Sequence, residues 1–433
     1  MLRTNMLNRL RNMWLWAVGV SLSLVMACNK DDIVPPATED TTLAHTVLVY
    51  IVAENSLMTY AAEDIEEMLS GCDRMSENDH LIIYFDGYSL PCIYKIDKHT
   101  QARKFSDLKP YYTYAEDENS ASAAQLSDFV AKIEEQFPAD DYSLILWSHG
   151  SGWIPSTISS TGTVAWDSGP KRSFGVDNGM NNETDYGDEM EIADLADALR
   201  PFPKFKFILF DACFMQTIEV DYALKDVADY IVASPAEIPG EGAPYDKYMS
   251  LFFRDDLQPS ALVNAYVTNY ANRDAGALIS SVQCSLIDSL ATATWPYLHP
   301  LSEKDPSDPY GLSGIDFGNV QNYFDYNQWV LRHTMPDCYD MYSVMKHALS
   351  ASEFQSWSSI FDRAVYRRTN DCWYSIYPLS NSLGDHILAV NREEYGGISM
   401  FVPLDKYIAN GHYFFADWYK TAWGQRISAQ TKP

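Results

Sequence analysis

Short, almost uninterrupted apolar runs recur along the first 250 positions. Most are followed by a stretch whose apolar residues return every three or four places. The first pattern is that of a strand buried on both faces, the second that of an amphipathic helix. "TVLVYIVA" (46–53) predicts a strand. "YAAEDIEEMLSG" then predicts a helix with Ala61, Ile65, Met68 and Leu69 on its inner face and Gly71 at its end. "HLIIYFDG" (80–87) is a second strand and "PCIYKIDKHT" its hairpin neighbour. "AAQLSDFVAKIEEQFP" (123–138) is a helix stopped by Pro138, and "YSLILWSH" is the next strand. "MEIADLADALRP" (190–201), "KFKFILFDAC" (204–213), "MQTIEVDYALKDV" and "DYIVASPAE" (229–237) continue the alternation of helix and strand. Such βαβ units predict an α/β fold, a mostly parallel sheet flanked by helices on both faces. Its chemistry belongs just past the carboxyl ends of the strands.

The alternation breaks in two places. Residues 151–189 form a long segment rich in Ser, Gly, Asn and Asp, of a length that is usually functional or unstructured. Beyond about residue 250 the pattern weakens. "SALVNAYVTNYANR" and "QCSLIDSLATATWPYL" read as helices and "GGISMFVP" (396–403) as a strand, which predicts a mixed α/β C-terminal region, 251–433, packed on a domain at 46–250.

The first residues stand apart. Arg3, Arg9 and Arg11 precede the apolar run "MWLWAVGVSLSLVMA", too short for a comfortable membrane span, as in a secretory signal over 1–27. "LVMAC" resembles a lipobox, which implies lipidation of Cys28. The polar stretch up to residue 45 then reads as a disordered tether. Acids just after Cys28 resemble the surface-export signal of bacterial lipoproteins. The expected location is therefore the outer membrane, on the cell surface or its periplasmic face.

Removing residues 1–27 takes away three arginines and no acid, leaving 28 basic against 59 acidic residues, a net of −31. That field argues against nucleic acid as a partner. The seven cysteines show no zinc-finger spacing, and their scatter suggests lone thiols.

Candidate chemistry rests on two strand ends. His149 leaves one apolar strand and is followed by Gly150. Cys213 leaves another, two residues after Asp211, and is expected to begin a helix. If those strands are neighbours, imidazole and thiol face each other, and a helix N-terminus with a nearby imidazolium would lower the thiol pKa. The N–H groups of Gly150 and Cys213 could then hold an oxyanion. A structural histidine and a buried cysteine would look the same in the sequence, and spacing goes no further.

"ILWSHGSGW" and "LFDACFM" resemble the histidine and cysteine motifs of the clostripain-like cysteine peptidases, which have a caspase-like fold. "VLVYIVAENSLMTYAAEDIEEM", "IVASPAEIPGEGAPYDKYM", "LISSVQCSLIDSL" and "GGISMFVP" are similar to further family segments, so the resemblance runs from about residue 46 to 403. It implies cleavage after Arg or Lys, with Cys213 as nucleophile and His149 as its base. Asp211 matches the position lining the pocket for the basic side chain, and Glu241 falls where an Asp is frequent. Some relatives cut themselves between the two motifs, and Lys171 and Arg172 offer such a site. No cofactor is required by the resemblance. Calcium is possible, with "DNGMNNETDYGDE" a source of oxygen ligands. Ser151 in place of Gly, and the missing Trp after the second glycine of "GEGAPYDKY", depart from the family pattern. Two other classes remain open. A silent surface lipoprotein could bind glycan or peptide through an aromatic platform after position 250. A metal-dependent hydrolase would need a second His near His149, and none is at ligand spacing.

Overall fold

The computed structural model describes residues 44–87, 89–153, 173–180, 187–271, 276–302, 315–323, 338–374, 387–402 and 418–429. Cys28, its tether, Lys171 and Arg172 lie outside the described residues. In chain order the strands are β1 (His45–Val52), β2 (His80–Asp86), β3 (Cys92–Ile96), β4 (Tyr112–Thr113), β5 (Asp141–Trp147), β6 (Phe174–Asp177), β7 (Asp188–Met190), β8 (Ile208–Asp211), β9 (Tyr230–Ala233), β10 (Leu278–Gln283), β11 (Cys338–Asp340), β12 (Val365–Thr369), β13 (Cys372–Tyr374), β14 (Ile387–Ala389) and β15 (Ser399–Phe401).

Nine of these form one sheet in the order β12-β10-β9-β8-β5-β1-β2-β3-β4. Its centre, β9-β8-β5-β1-β2, is parallel throughout, and the strands added at both edges are antiparallel. This is the α/β architecture expected from the alternating pattern. The chain goes from β1 to β2 on one side, then crosses back to lay β5 on the other side of β1. The reversal makes a topological switch point between β1 and β5, where loops diverge and leave a crevice at the strand ends.

Alternation along β1 explains why its run is apolar throughout. Leu48, Tyr50 and Val52 enter one core, with Phe129 of the helix Ala123–Gln136 and Leu195 of the helix Ile192–Leu199. Val47, Val49 and Ile51 enter the other, with Ile65 and Met68 of the helix Met58–Ser70 and Tyr248 of the helix Tyr245–Phe252. Side chains two apart share a face, so a strand covered by helices on both sides needs apolar residues at every position. On the first face Tyr50 stacks on Tyr84 at 4.5 Å between ring centres.

The sheet continues past residue 250, so the division expected there falls inside it: β10 and β12 are its outer strands on the β9 side. β10 escaped the periodicity reading because Ser280 and Ser281 interrupt its apolar run, yet both are buried. The segment 151–189, read as a loop, contains the hairpin pair β6 and β7. Among the described residues no helix is long and apolar enough to cross a membrane.

Among the described residues after position 250, the aromatic side chains mostly serve the core. Tyr270, Tyr323, Tyr339, Trp357, Trp418 and Trp423 are fully buried, and among the described residues Tyr366 is the one large hydrophobic side chain of this region that is exposed. Among the described residues of this region there is no contiguous exposed aromatic patch, while Phe324, Tyr326, Trp329 and Tyr413 lie outside the described residues.

Replacement of Ile51, buried in the middle of the sheet, by Ala should cost about 2–5 kcal/mol of stability. Glu135→Ala, on an exposed helical position, should change it by no more than about 0.5 kcal/mol. Denaturant titration of the two variants checks both.

Candidate active site

β5 and β8 are adjacent and parallel, with Trp147 opposite Asp211. His149 and Cys213 each lie two residues beyond that pair, so the strand ends deliver them to the same edge of the sheet. The pairing continues one step further, since Ser148 N–H donates to the Asp211 carbonyl at 3.4 Å.

The two loops then touch through backbone. A Cβ built on Gly150 would lie 2.9 Å from Ala212 Cβ, from the Cys213 carbonyl oxygen and from Met215 Sδ. Glycine is required here by close approach, a reason the sequence reading did not include. The histidine loop is braced from its other side by β6. Gly175 N–H donates to the His149 carbonyl and Ser151 N–H to the Ser173 carbonyl, both at 3.0 Å. These bonds flank the Gly150–Phe174 bridge and leave the Gly150 N–H out of the ladder. On the ring itself, Ser56 Oγ meets His149 Nε2 at 3.1 Å.

Cys213 does not begin a helix, contrary to the expectation from its sequence context. Phe214, immediately after it, has φ of 60°, a left-handed conformation that turns the chain and is costly for a bulky residue. The helix starts at Ile218, with Thr217 Oγ1 accepting from Val220 N–H. The thiol therefore lacks the helix-terminus field, which fades within one turn. Burial, with the Glu237 carboxylate beside it and Asp211 below, pushes its pKa up to about 12. One interaction opposes this, a hydrogen bond from Ile238 N–H to Sγ at 3.4 Å. The resting sulfur is a thiol, which corrects the expectation of a lowered pKa. Phe214 N–H and Gln216 N–H bond to the carbonyls of Ala236 and Ser234, a pattern in which Cys213 N–H takes no part.

Beneath the sulfur is a group of acids. Asp211 is buried, and its Oδ2 accepts from Ala243 N–H at 3.0 Å and Tyr245 OH at 2.8 Å. Burial raises its pKa to about 6. Asp64, buried nearby and also raised by burial and by Asp211, accepts from Trp147 Nε1 at 2.7 Å. In the Pro-Gly-Glu-Gly segment the second glycine packs on this floor and the first on Tyr60. A Cβ on Gly242 would strike Asp211 Oδ2 at 2.7 Å, and one on Gly240 would strike the Tyr60 ring at 2.7 Å. Glu241, between them, is exposed. Tyr374 of β13 lies within the electrostatic reach of Cys213, Glu237, Glu241 and Tyr60, so it belongs to the same neighbourhood. The structure thus gathers His149, Gly150, Cys213 and Asp211, with Glu241 at the exposed side. Sequence reasoning missed Ser56, Asp64, Glu237 and Tyr374, whose positions depend on folding from β1, the first crossover helix, the loop after β9 and the C-terminal region.

The C-terminal region also supports the Cys213 turn. Ser399 N–H donates to the Gln216 carbonyl at 2.9 Å, and Phe401 N–H to Glu219 Oε1 at 3.2 Å. Of the acids in 177–189, Asp188 accepts from Asn119 Nδ2 at 2.8 Å and Glu189 from Ser173, while Asp177 points elsewhere, toward Glu54 and Asp86. Cys72, Cys92, Cys213, Cys284 and Cys372 are free thiols, as their scatter suggested.

A protonated thiol predicts a specific pH profile. Iodoacetamide labelling of Cys213 in the free protein, followed by mass spectrometry of its peptide, should keep accelerating about tenfold per pH unit up to at least pH 10. A plateau below pH 8 would show a preformed thiolate instead.

The clostripain family of peptidases (C11) matches residues 49–377. Clostripain of Hathewaya histolytica is 27% identical over 226 residues, which are 47% of this chain and 41% of that protein, so the match spans less than half of the relative's length. The chain resembles the structure of an inactive zymogen C11 protease from Parabacteroides distasonis with a TM-score of 0.71 at 28% identity, covering 90% of this chain and 99% of that one. It resembles a secreted C11 cysteine protease from Bacteroides thetaiotaomicron, solved with an irreversible peptide inhibitor, with a TM-score of 0.68 at 27% identity, covering 89% and 98%. With both motifs at adjacent strand ends and the match running through most of the chain, this protein belongs to the clostripain family of cysteine peptidases.

Proposed function

We propose that the chain is a secreted, lipid-anchored endopeptidase that cleaves peptide bonds after Arg or Lys, with Cys213 as nucleophile and His149 as base. The observation that carries this reading is the contact of the two loops: Gly150 presses on the Cys213 backbone at the paired ends of β5 and β8, above buried Asp211.

The chemistry follows from those positions. Because the resting sulfur holds its proton, His149 accepts that proton as sulfur attacks the substrate carbonyl carbon. The S–C bond forms, and the carbonyl oxygen gains negative charge. The N–H groups of Gly150 and Cys213, which stay out of the surrounding ladders, donate to it. Collapse expels the amine, which takes the proton from His149 and leaves a thioester. A water then gives its proton to His149 and attacks the thioester, releasing the acid and restoring the thiol. Ser56 against Nε2 orients the ring for these transfers.

Specificity for a cation is supported by the acids on one side of the thiol, with Asp211 as the floor and Glu241 toward the opening. A guanidinium in that space would lower the pKa of Asp211 from about 6 by pairing with its charged form. The strong negative charge of the chain would attract basic segments over longer range. Cleavage at Lys171 or Arg172 in the connection before β6 would free a chain end beside the histidine loop, since Ser173 is already held by Glu189 and by Ser151. The anchor would be the lipid on Cys28, placing the enzyme at the outer membrane.

Peptides ending in Arg, Lys or Leu before a fluorophore test this reading under reducing conditions, with intact and trypsin-nicked protein. Arg or Lys peptides should be turned over, and Cys213→Ala or His149→Ala should lower kcat by about 10⁴-fold or more. Asp211→Asn should reduce kcat/KM for basic peptides about tenfold to a hundredfold. Below pH 6 the wild type should lose this preference as Asp211 takes up a proton. Turnover of Leu peptides equal to that of Arg peptides would sink the pocket assignment, and turnover that survives Cys213→Ala would sink the nucleophile.

A further inference from the structure

Four buried tyrosines pack close to Asp211. Tyr245 and Tyr248 belong to the helix Tyr245–Phe252, Tyr266 and Tyr270 to the helix Ser260–Tyr270. Three of their hydroxyls are satisfied by the protein. Tyr245 OH donates to Asp211 Oδ2 at 2.8 Å, Tyr270 OH to the Gly242 carbonyl at 2.6 Å and Tyr248 OH to the Leu262 carbonyl at 3.1 Å. The fourth is not. The Tyr266 hydroxyl is buried and has no hydrogen-bond partner among the described residues. It lies within the electrostatic reach of Asp211 and Cys213, as well as of Tyr248 and Tyr270.

Asp211 is satisfied on one side. Its Oδ2 receives both of its hydrogen bonds, from Ala243 N–H and Tyr245 OH. Its Oδ1 receives none from the described residues and faces the Cα of Gly242, where a Cβ would come within 2.9 Å. A phenol removed from water without a new partner is costly, and phenylalanine would fill the same space without that cost. An orphaned hydroxyl near a half-satisfied carboxylate calls for a ligand that serves both.

We propose that the Tyr266 hydroxyl is the second hydrogen-bonding group of the pocket over Asp211, and that it selects arginine over lysine in the peptide to be cleaved. The proposal rests on the reading of Asp211 as the floor for a basic side chain. A guanidinium carries five N–H donors in a flat fork, so one N–H can donate to Asp211 Oδ1 while another donates to the phenol oxygen. An ammonium is one compact, strongly hydrated centre and does not span two separate acceptors in this way. Burial, followed by Tyr270, Asp211, Tyr248 and Cys213, pushes the Tyr266 pKa well above the ordinary tyrosine value. The group therefore stays a neutral phenol. It adds an acceptor to the pocket without adding a second buried negative charge.

The helix that carries Tyr266 is already part of this pocket. Tyr270, one turn further on, holds the Gly242 carbonyl, and Gly242 lies against Asp211. The Tyr266 and Tyr270 rings are 4.9 Å apart between centres, so the position of one fixes the other. In the resting chain Asp211 and Tyr266 are 4% and 3% exposed, and an entering side chain must displace what covers them.

Two measurements on the full chain, intact and trypsin-nicked, test the assignment. Calorimetry with short acetylated peptide amides ending in Arg, Lys or Leu, on Cys213→Ala protein, reads binding without turnover. The Arg peptide should bind most tightly. Adding Tyr266→Phe should weaken it by about tenfold or more and leave the Lys peptide within about twofold. In protein that keeps Cys213, Tyr266→Phe should lower the Arg-to-Lys ratio of kcat/KM by the same factor. Thermal unfolding supplies the second readout. Tyr266→Phe should keep the wild-type Tm or raise it, because the hydroxyl has no bond to lose. A Tm several degrees lower with selectivity unchanged would overturn the proposal, since the hydroxyl would then be held by a buried water as part of the core. Unchanged preference for Arg at unchanged Tm would overturn it as well, leaving the choice to Asp211 and Glu241. Equal binding of Arg and Lys peptides to the parent would refute the selection of arginine. If the parent binds neither basic peptide better than the Leu peptide, the pocket itself is wrong and this assignment falls with it. A parent that binds basic peptides and a Tyr266→Phe variant that matches it would remove the tyrosine alone.

Discussion

Two backbones meet at Gly150, and the candidate site depends on that contact. The sheet brings the ends of β5 and β8 to one edge, but register alone leaves the loops free to diverge. A glycine with Ala212, the Cys213 carbonyl and Met215 packed against its Cα closes the gap between histidine and thiol. β6 holds the same loop from behind through Gly175 and Ser151, and the left-handed Phe214 turns the cysteine segment back toward Ala236. Neither loop could take up this position alone. Interiors packed to crystal density transmit such constraints, so a change at β6 or β15 is felt at the sulfur.

Buried negative charge is the second organising feature. Asp211 and Asp64 lie on one side of β5 and β8, and Glu54, Asp86 and Asp177 gather near the ends of β1 and β2. In each group desolvation raises a carboxyl pKa. The groups differ in their partners. Asp211 has Ala243 N–H and the Tyr245 hydroxyl, while Glu54 and Asp86 have no donor of good geometry.

The thiol carries a related lesson. An activated cysteine can be stored as a thiolate or generated during attack. Burial, Glu237 and the late start of the following helix favour the second. Holding the sulfur protonated until a substrate carbonyl and His149 are both in place limits its reactivity toward oxidants, which act on thiolates. Asp211, proposed above as the floor for a basic side chain, is also one of the charges that, after burial and Glu237, keep the sulfur neutral.

The central sheet was legible in the sequence because strands such as β1 are buried on both faces, and that demand writes an apolar run. The local pattern placed His149, Gly150 and Cys213 at strand exits, but their chemical roles, and that of Asp211, came from the resemblance to the clostripain-like peptidases. β10 was not legible, since Ser280 and Ser281 break its run and their burial depends on neighbours far along the chain. Nor was the protonation of Cys213, which follows from burial and then from Glu237. Glu54, Asp86 and Asp177 are spread over more than 120 positions, and each alone is an ordinary acid at a strand end. Local sequence determined most of the strands and helices, because those follow from periodicity and short-range sterics, while the two chemical residues were singled out by the family resemblance. Tertiary structure alone decided the charge state of the sulfur and the clustering of acids, because burial and Coulomb interaction depend on distances that only the folded chain defines.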